Sequence, residues 1–258
     1  EMRYAQPAIF ALDIALAQLW RSWGVEPAFV AGHSLGEYAA ACVADVFSLA
    51  DGLKLVAARG RLMHNLKDRG AMVTVFADQD RVASALAPFS SEVAIAAING
   101  PETVVISGRQ AAVDDVVARL KADRIRTRPL PIAQASHSPL IEPVLDAFMA
   151  VASSVTYHAP QIAIISGLTG QEADGTVISR PDYWRRHFRE TVRFADVMHT
   201  LDALGVRAYV DIGPNPMLLS LGQRCVADEN LSAWVPSLRQ GRGEHEQCHR
   251  HGDAWRVL

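Results

Sequence analysis

The stretch Gly32-His33-Ser34-Leu35-Gly36 restricts this chain more than any other. A short apolar run, Ala28–Ala31, is bounded by Pro27 and Gly32 and reads as a buried strand, and a helix begins at once after the motif, over about 35–44. A strand that turns into a helix within so few residues needs glycine on either side of the turn, so that the two backbones can approach. The turn lifts the Ser34 hydroxyl to the helix N-terminus, where the Leu35 amide and the helix dipole can stabilise a developing oxyanion. The plain alternative is a serine that merely caps a helix after a glycine turn.

Around this unit the pattern alternates strands and helices. Ahead of it, Pro7 followed by Ile9, Leu12, Leu16, Leu19 and Trp20 predicts a helix ended by Gly24. Behind it, Ser-Leu-Ala-Asp at 48–51 resembles a capping box and opens a helix to about Leu66. The texture then shortens. Strands over 72–76, 93–98, 103–107 and 126–130 and helices over 79–86 and 111–122, with a turn at Asn99-Gly100-Pro101, follow the β-α-β-β-α-β order of a ferredoxin-like unit. After it come a helix from Ser138-Pro139 to about Ala152, a strand over 162–165, helices over 182–188 and 195–203, a strand over 208–212 and a helix over 217–226. The expected fold class is α/β: an α/β-hydrolase-like large part with a mostly parallel sheet, over 1–69 and 138–240, and an inserted ferredoxin-like small part over 70–137. Residues 241–258 lack apolar periodicity and read as a tail.

Composition narrows the function classes. Half of the 258 residues are hydrophobic and 21% are charged, which predicts a sizeable core. A net charge of -3 gives no footprint for a polyanion, so nucleic acid is not an expected partner. No apolar run approaches the roughly 20 residues of a membrane span. Three cysteines, Cys42, Cys225 and Cys248, are too few for a disulfide framework and point to a reducing cytoplasm.

A serine nucleophile needs a base, and the chain has nine histidines. His33 lies in the turn itself and should point away from Ser34; His64 lies in a helix; His245, His249 and His251 lie in the tail. His137 stands at the junction where the insert returns to the large part, and position alone leaves base and surface loop histidine evenly matched. Arg59 interrupts the apolar stripe Leu55, Leu62, Leu66, and a buried guanidinium needs an anion. That anion is either a structural Asp or Glu or the carboxylate of a substrate held by two parallel hydrogen bonds. His245, Cys248, His249 and His251 are metal-ligand residue types without paired spacing, and no native zinc site is expected there. Asp211 would give the chain order Ser, His, Asp rather than that of α/β-hydrolases and reads as structural.

Taken together, the Gly-His-Ser-Leu-Gly-Glu-Tyr turn, Tyr4-Ala-Gln-Pro-Ala, Arg59, Ser136-His137-Ser138 and Gly213-Pro214-Asn215-Pro216 resemble the malonyl-CoA:acyl-carrier-protein transacylases. The likeness is strongest to the acyltransferase domains of modular polyketide synthases. It implies that Ser34 is the nucleophile, His137 its base and Arg59 the binder of the malonyl carboxylate. It also implies that the imidazole is oriented by a backbone carbonyl, at the position matching His187 in Trp184-Arg-Arg-His-Phe. The implied reaction moves a malonyl or methylmalonyl unit from CoA to the phosphopantetheine thiol of an acyl carrier protein, without a bound cofactor or metal, beside synthase domains such as a ketosynthase. The rivals are a serine esterase or thioesterase, which has no use for Arg59, and an inactive scaffold module.

Three departures from the family pattern stand out. Family members begin with a strand and a Gly-Gln-Gly segment, and this sequence starts after them, so the large part is expected to lack its N-terminal strand. His64 replaces a common glutamine, and the residues after Arg242 do not resemble the usual linker. For the extender unit, malonyl-selective members carry His-Ala-Phe-His and methylmalonyl-selective ones Tyr-Ala-Ser-His, whereas this chain has Gln134-Ala135-Ser136-His137. Ser136 leaves room for a methyl group, while Leu35 stands where methylmalonyl-selective members more often have glutamine. The expectation is that methylmalonyl-CoA is accepted at least comparably to malonyl-CoA.

Overall fold

The computed structural model describes residues 1–68, 70–132 and 134–239. Helix α1 (Met2–Ser22) starts ahead of Pro7, which lies inside it rather than opening it. Its inward face is Gln6, Phe10, Asp13, Leu16 and Trp20, whereas Ile9 and Leu19 of the expected apolar stripe are exposed. Strand β1 (Phe29–Ala31) feeds α2 (Leu35–Val43), and α3 (Leu49–His64) follows with Ser48 accepting from the Asp51 amide, as the capping-box reading requires.

Helices α1 and α3 pack closely because glycine allows it. A Cβ on Gly60 would stand 2.7 Å from the Met2 carbonyl oxygen, and one on Gly52 would stand 2.6 Å from the Phe10 ring. This approach sets Gln6 of α1 beside Arg59 of α3.

The inserted unit comprises β2 (Gly70–Val75), α4 (Gln79–Leu86), β3 (Val93–Gly100), β4 (Thr103–Arg109), α5 (Gln110–Ala122) and β5 (Thr127–Pro129). Its strands pair antiparallel in the order β3-β4-β2-β5, the ferredoxin-like arrangement expected from the sequence. Asn99 and Gly100 belong to β3, so the reversal falls one step later, at Pro101-Glu102. One face of the sheet closes on α4 and α5 over Val75, Val82, Ile106, Val113, Val116 and Leu120. The other contributes Ala97, Ile98 and Val105 to a cluster with Phe194, Met198 and Tyr209 of the large part.

The chain returns through a 3-10 turn, Pro139–Val144, into α6 (Leu145–Ala152), instead of the single helix expected there, because Pro143 has no N–H to continue an α-helical ladder. Strand β6 (Ala163–Ile165), α7 (Gly175–Ile178), α8 (Pro181–Arg189), α9 (Phe194–Ala203), β7 (Ala208–Asp211), α10 (Met217–Gly222) and β8 (Ala233–Pro236) complete the large part. Its strands pair parallel, β1 with β6 and β7 with β8. The mostly parallel sheet of the sequence reading is thus realised, among the described residues, as two separate parallel pairs. The sequence reading missed α7 and β8, and α10 ends earlier than its apolar run. The main core gathers Phe10, Tyr38, Phe47, Phe148, Trp184 and Phe188.

Candidate active site

The turn between β1 and α2 is as tight as its glycines predict. A Cβ on Gly32 would stand 2.1 Å from the Glu37 amide nitrogen, so no larger residue fits. Ser34 sits at φ 52° and ψ -109°, a conformation costly for a residue with a Cβ. Its hydroxyl does not cap the helix, which removes the plain alternative. Instead, Ser34 Oγ lies 2.7 Å from His137 Nε2. His137 Nδ1 lies 2.8 Å from the Glu190 carbonyl oxygen. A carbonyl only accepts, so Nδ1 carries the proton and Nε2 is left to accept from the serine hydroxyl. Burial and the positive charge of Arg59 hold the His137 pKa well below 6.5, with His187 adding to the effect and the Glu190 carbonyl opposing it. The imidazole is therefore neutral, as a proton acceptor must be.

The orienting carbonyl is a correction to the sequence reading, which placed it at His187. His187 is in α8, and its imidazole turns toward Glu37. Glu190, just past the helix end, has a carbonyl free to face His137. The segment is held in place by β3, with Ile98 N–H bonded to the Val192 carbonyl and Val192 N–H to that of Ala96, both at 2.9 Å.

Arg59 is 3% exposed. Its Nη2 donates to Ser34 Oγ at 3.0 Å and its Nη1 to Gln6 Oε1 at 2.8 Å, while Nε has no partner among the described residues. The Phe188 and Tyr38 rings flank it at 5.1 Å and 5.9 Å. Among the described residues no carboxylate lies within ion-pairing distance, so the structural ion pair left open by the sequence is not formed there. Burial pushes the guanidinium pKa down from its usual value, and the neighbouring Tyr38 acts the other way.

The Leu35 amide, first of α2, donates to no protein group among the described residues and remains available beside Ser34. His33 points away from the serine as expected: its Nε2 meets Asn99 Oδ1 at 2.8 Å, joining the turn to the inserted sheet. Gln134 and Ser136 are partly exposed, and neither side chain makes a hydrogen bond among the described residues. Ser138 caps the turn after His137, accepting from the Leu140 amide and donating to the Ala135 carbonyl. Asp211 accepts from the Leu218 amide and does not reach His137. His245, Cys248, His249 and His251 lie outside the described residues, and among the latter no group of three or more metal-ligating side chains occurs.

Sequence reasoning missed Gln6, Asn99 and the Glu190 carbonyl. Gln6 left a signal, a polar residue in register with Phe10 and Asp13 on the inward face of α1. Backbone carbonyls leave none.

A serine hydroxyl bonded to a neutral, carbonyl-oriented imidazole, beside a buried cation and a free helix-start amide, suits acyl transfer to and from the serine. The family model "Acyl transferase domain" matches residues 1–253. A polyketide synthase of Streptomyces halstedii, GfsA, is 43% identical over 95% of this chain, which spans 3% of that synthase. The mycoketide-CoA synthase of Mycobacterium tuberculosis is 45% identical over 93% of this chain and 6% of its own length. Among solved structures, the acyltransferase domain from the second module of the salinomycin polyketide synthase superposes with a TM-score of 0.93 at 45% identity, over 98% of this chain and 60% of that one. A malonyl-CoA:acyl carrier protein transacylase of Xanthomonas oryzae gives 0.89 at 29% identity, over 98% and 80%. The fold and site thus define an acyltransferase of the polyketide-synthase and transacylase kind. The chain belongs to the acyl transferase domain family.

Proposed function

We propose that this chain transfers a malonyl or methylmalonyl unit from CoA to the phosphopantetheine thiol of an acyl carrier protein. In the first half-reaction, His137 Nε2 takes the Ser34 proton as Oγ attacks the thioester carbonyl. The oxyanion forms at the Leu35 amide, the C–S bond breaks, and CoA leaves as the thiol with the proton from His137. In the second, His137 takes the proton of the carrier's thiol, whose sulfur attacks the serine ester. Breaking the ester C–O bond releases Oγ, which regains the proton. Each half-reaction is balanced without metal or redox chemistry. Glu190 keeps the imidazole in the tautomer that both steps use.

The observation that carries this reading is Arg59: a buried cation that, among the described residues, has no carboxylate partner, with one arm on Ser34 and no partner for Nε. Burying an uncompensated guanidinium is costly, and a substrate carboxylate is the anion that would offset it. A simple esterase substrate offers none. The partners are accordingly a carboxylated acyl-CoA, a carrier protein and neighbouring synthase domains, in the cytoplasm. No described helix is long and apolar enough to cross a membrane.

Incubation with malonyl-CoA followed by intact mass measurement tests the reading. Stable acylation of Ser34, discharged on adding a phosphopantetheinylated carrier protein, is the expected result. Rapid hydrolysis without the carrier would make the chain a thioesterase, and no adduct would make it an inactive module.

A further inference from the structure

We propose that Glu37 is a positioning residue for the Ser34–His137 pair, locking the helix that carries the serine to the segment whose carbonyl orients the imidazole. The proposal rests on the reading of Ser34 and His137 as nucleophile and base. Glu37 lies one helical turn beyond Ser34 in α2, and its amide bonds the Ser34 carbonyl at 3.1 Å. The side chain has no exposure to solvent, and a carboxylate so placed needs partners.

Those partners come from other elements. The Gly167 amide, just past β6, donates to Oε2 at 2.9 Å. The Tyr183 hydroxyl of α8 donates to Oε1, and Ser166 Oγ supports that hydroxyl from 2.6 Å. His187 Nε2, one turn further along α8, lies 3.1 Å from Oε2, though off the line of a well-formed hydrogen bond. The pocket is fitted to the carboxylate: a Cβ on Gly167 would stand 2.4 Å from Oε2.

The clasp closes a loop through the site. From Ser34 it runs one turn along α2 to Glu37, crosses to Tyr183 and His187, follows α8 to its end at Glu190, and returns through the Glu190 carbonyl to His137. The ends of that loop are the two atoms that exchange the proton, 2.7 Å apart. Glu37 itself makes no hydrogen bond to either side chain among the described residues, so it acts only through the elements it ties. A misplacement of about 1 Å in such a pair costs on the order of a hundredfold in rate. Arg59, on α3, makes its hydrogen bonds among the described residues to Gln6 and Ser34 Oγ and none to Glu37, Tyr183 or His187, so the three variants leave the acyl carboxylate's partner in place.

The test is single-turnover acylation of Ser34 by malonyl-CoA across a concentration series, read by intact mass, with Ser34→Ala as the blank. Three variants disturb the clasp in different ways. Glu37→Gln removes the charge, Tyr183→Phe removes one donor and leaves the carboxylate, and Gly167→Ala crowds it. Misalignment predicts a maximal rate at least about fivefold lower for each variant, with half-saturating concentration and final acylated fraction unchanged. A maximal rate above that limit in Tyr183→Phe and Gly167→Ala overturns the proposal, as does a reduced final fraction with a normal rate, the mark of simple unfolding. If Glu37→Gln does not fold, those two variants decide. Failure of the unsubstituted chain to acylate would remove the functional reading itself, which is a separate result.

Discussion

At the scale of single residues, the site rests on charges and protons placed where water cannot reach them. Arg59 is a buried cation unpaired among the described residues, so Arg59→Ala should reduce acylation by malonyl-CoA far more than by acetyl-CoA, which presents no free carboxylate. Equal losses in the two acylation rates would make Arg59 a structural residue. As the proposed base, His137 gives a pH prediction. Its pKa is held well below 6.5, so the imidazole is unprotonated at and above that pH, and Ser34 acylation should stay level from pH 8 down past 6.5 before it falls. A fall centred at 6.5 or higher would show an ordinary, solvated histidine. The same shift has a stability consequence of fixed sign. Below 6.5 the unfolded chain takes up the proton that the folded one refuses, so His137 lowers stability as the pH drops. Ser136 concerns selectivity. If it leaves room for a methyl group, Ser136→Phe should shift competition between methylmalonyl-CoA and malonyl-CoA toward malonyl, read as acyl mass on Ser34. The change is bounded by the roughly 1–3 kcal/mol that one methyl group is worth in an apolar pocket.

At the scale of elements, α1 and β7 bring together two buried carboxylates, Asp13 and Asp211, with no ion-pair partner among the described residues. Among the described residues Asp13 Oδ1 is buried without a hydrogen-bond partner, and burial, with the charge of Asp211 second, pushes the Asp13 pKa up to about 7. Burial raises Asp211 to about 6, opposed by the Leu218 and Leu219 amides. Below the ordinary Asp13 value of 3.8 the group is protonated both folded and unfolded, and the raised pKa costs nothing. As the pH rises toward about 7 the unfolded chain releases a proton that the folded chain keeps, so stability falls until both states are ionised. Asp13→Asn should therefore raise Tm, with a gain that grows between pH 4 and 7 and is level above. A gain independent of pH would show that the carboxyl is not titrating in that range.

At the scale of the whole molecule, the inserted sheet is part of the site rather than an appendage. Its β3 edge holds the segment that presents Glu190, and its Asn99 accepts from the half-buried His33 ring next to Ser34. Asn99→Leu strands the His33 donor, a loss of about 1–3 kcal/mol, and chemical denaturation should show it as a lower midpoint of one shared transition. Two transitions, with only the insert displaced, would show that the parts fold independently. Shared burial of Ala97, Ile98 and Val105 with Phe194 and Met198 argues for the single transition.

The sequence by itself determined the strand-turn-helix around Ser34, the ferredoxin-like insert and the residue types of the site. The reason is that these are local: glycines at fixed spacing, alternation of apolar residues, turns at Pro and Gly. It also marked Arg59 and His137 as out of place, though it left each with two readings. What bears on the choice between them is tertiary, because in each case it is a distance between remote segments. The lack of an acid beside Arg59 among the described residues and the hydrogen bond from the Ser34 hydroxyl to His137 are such facts, invisible to periodicity. The misplaced carbonyl has the same origin. His187 lies in the last turn of α8 and Glu190 just past it, and which carbonyl meets the imidazole depends on how the packed segments place the two. Gln6 and Glu37 were legible as residues but not as partners, since a buried polar side chain acquires its role from what the packed helices set in front of it.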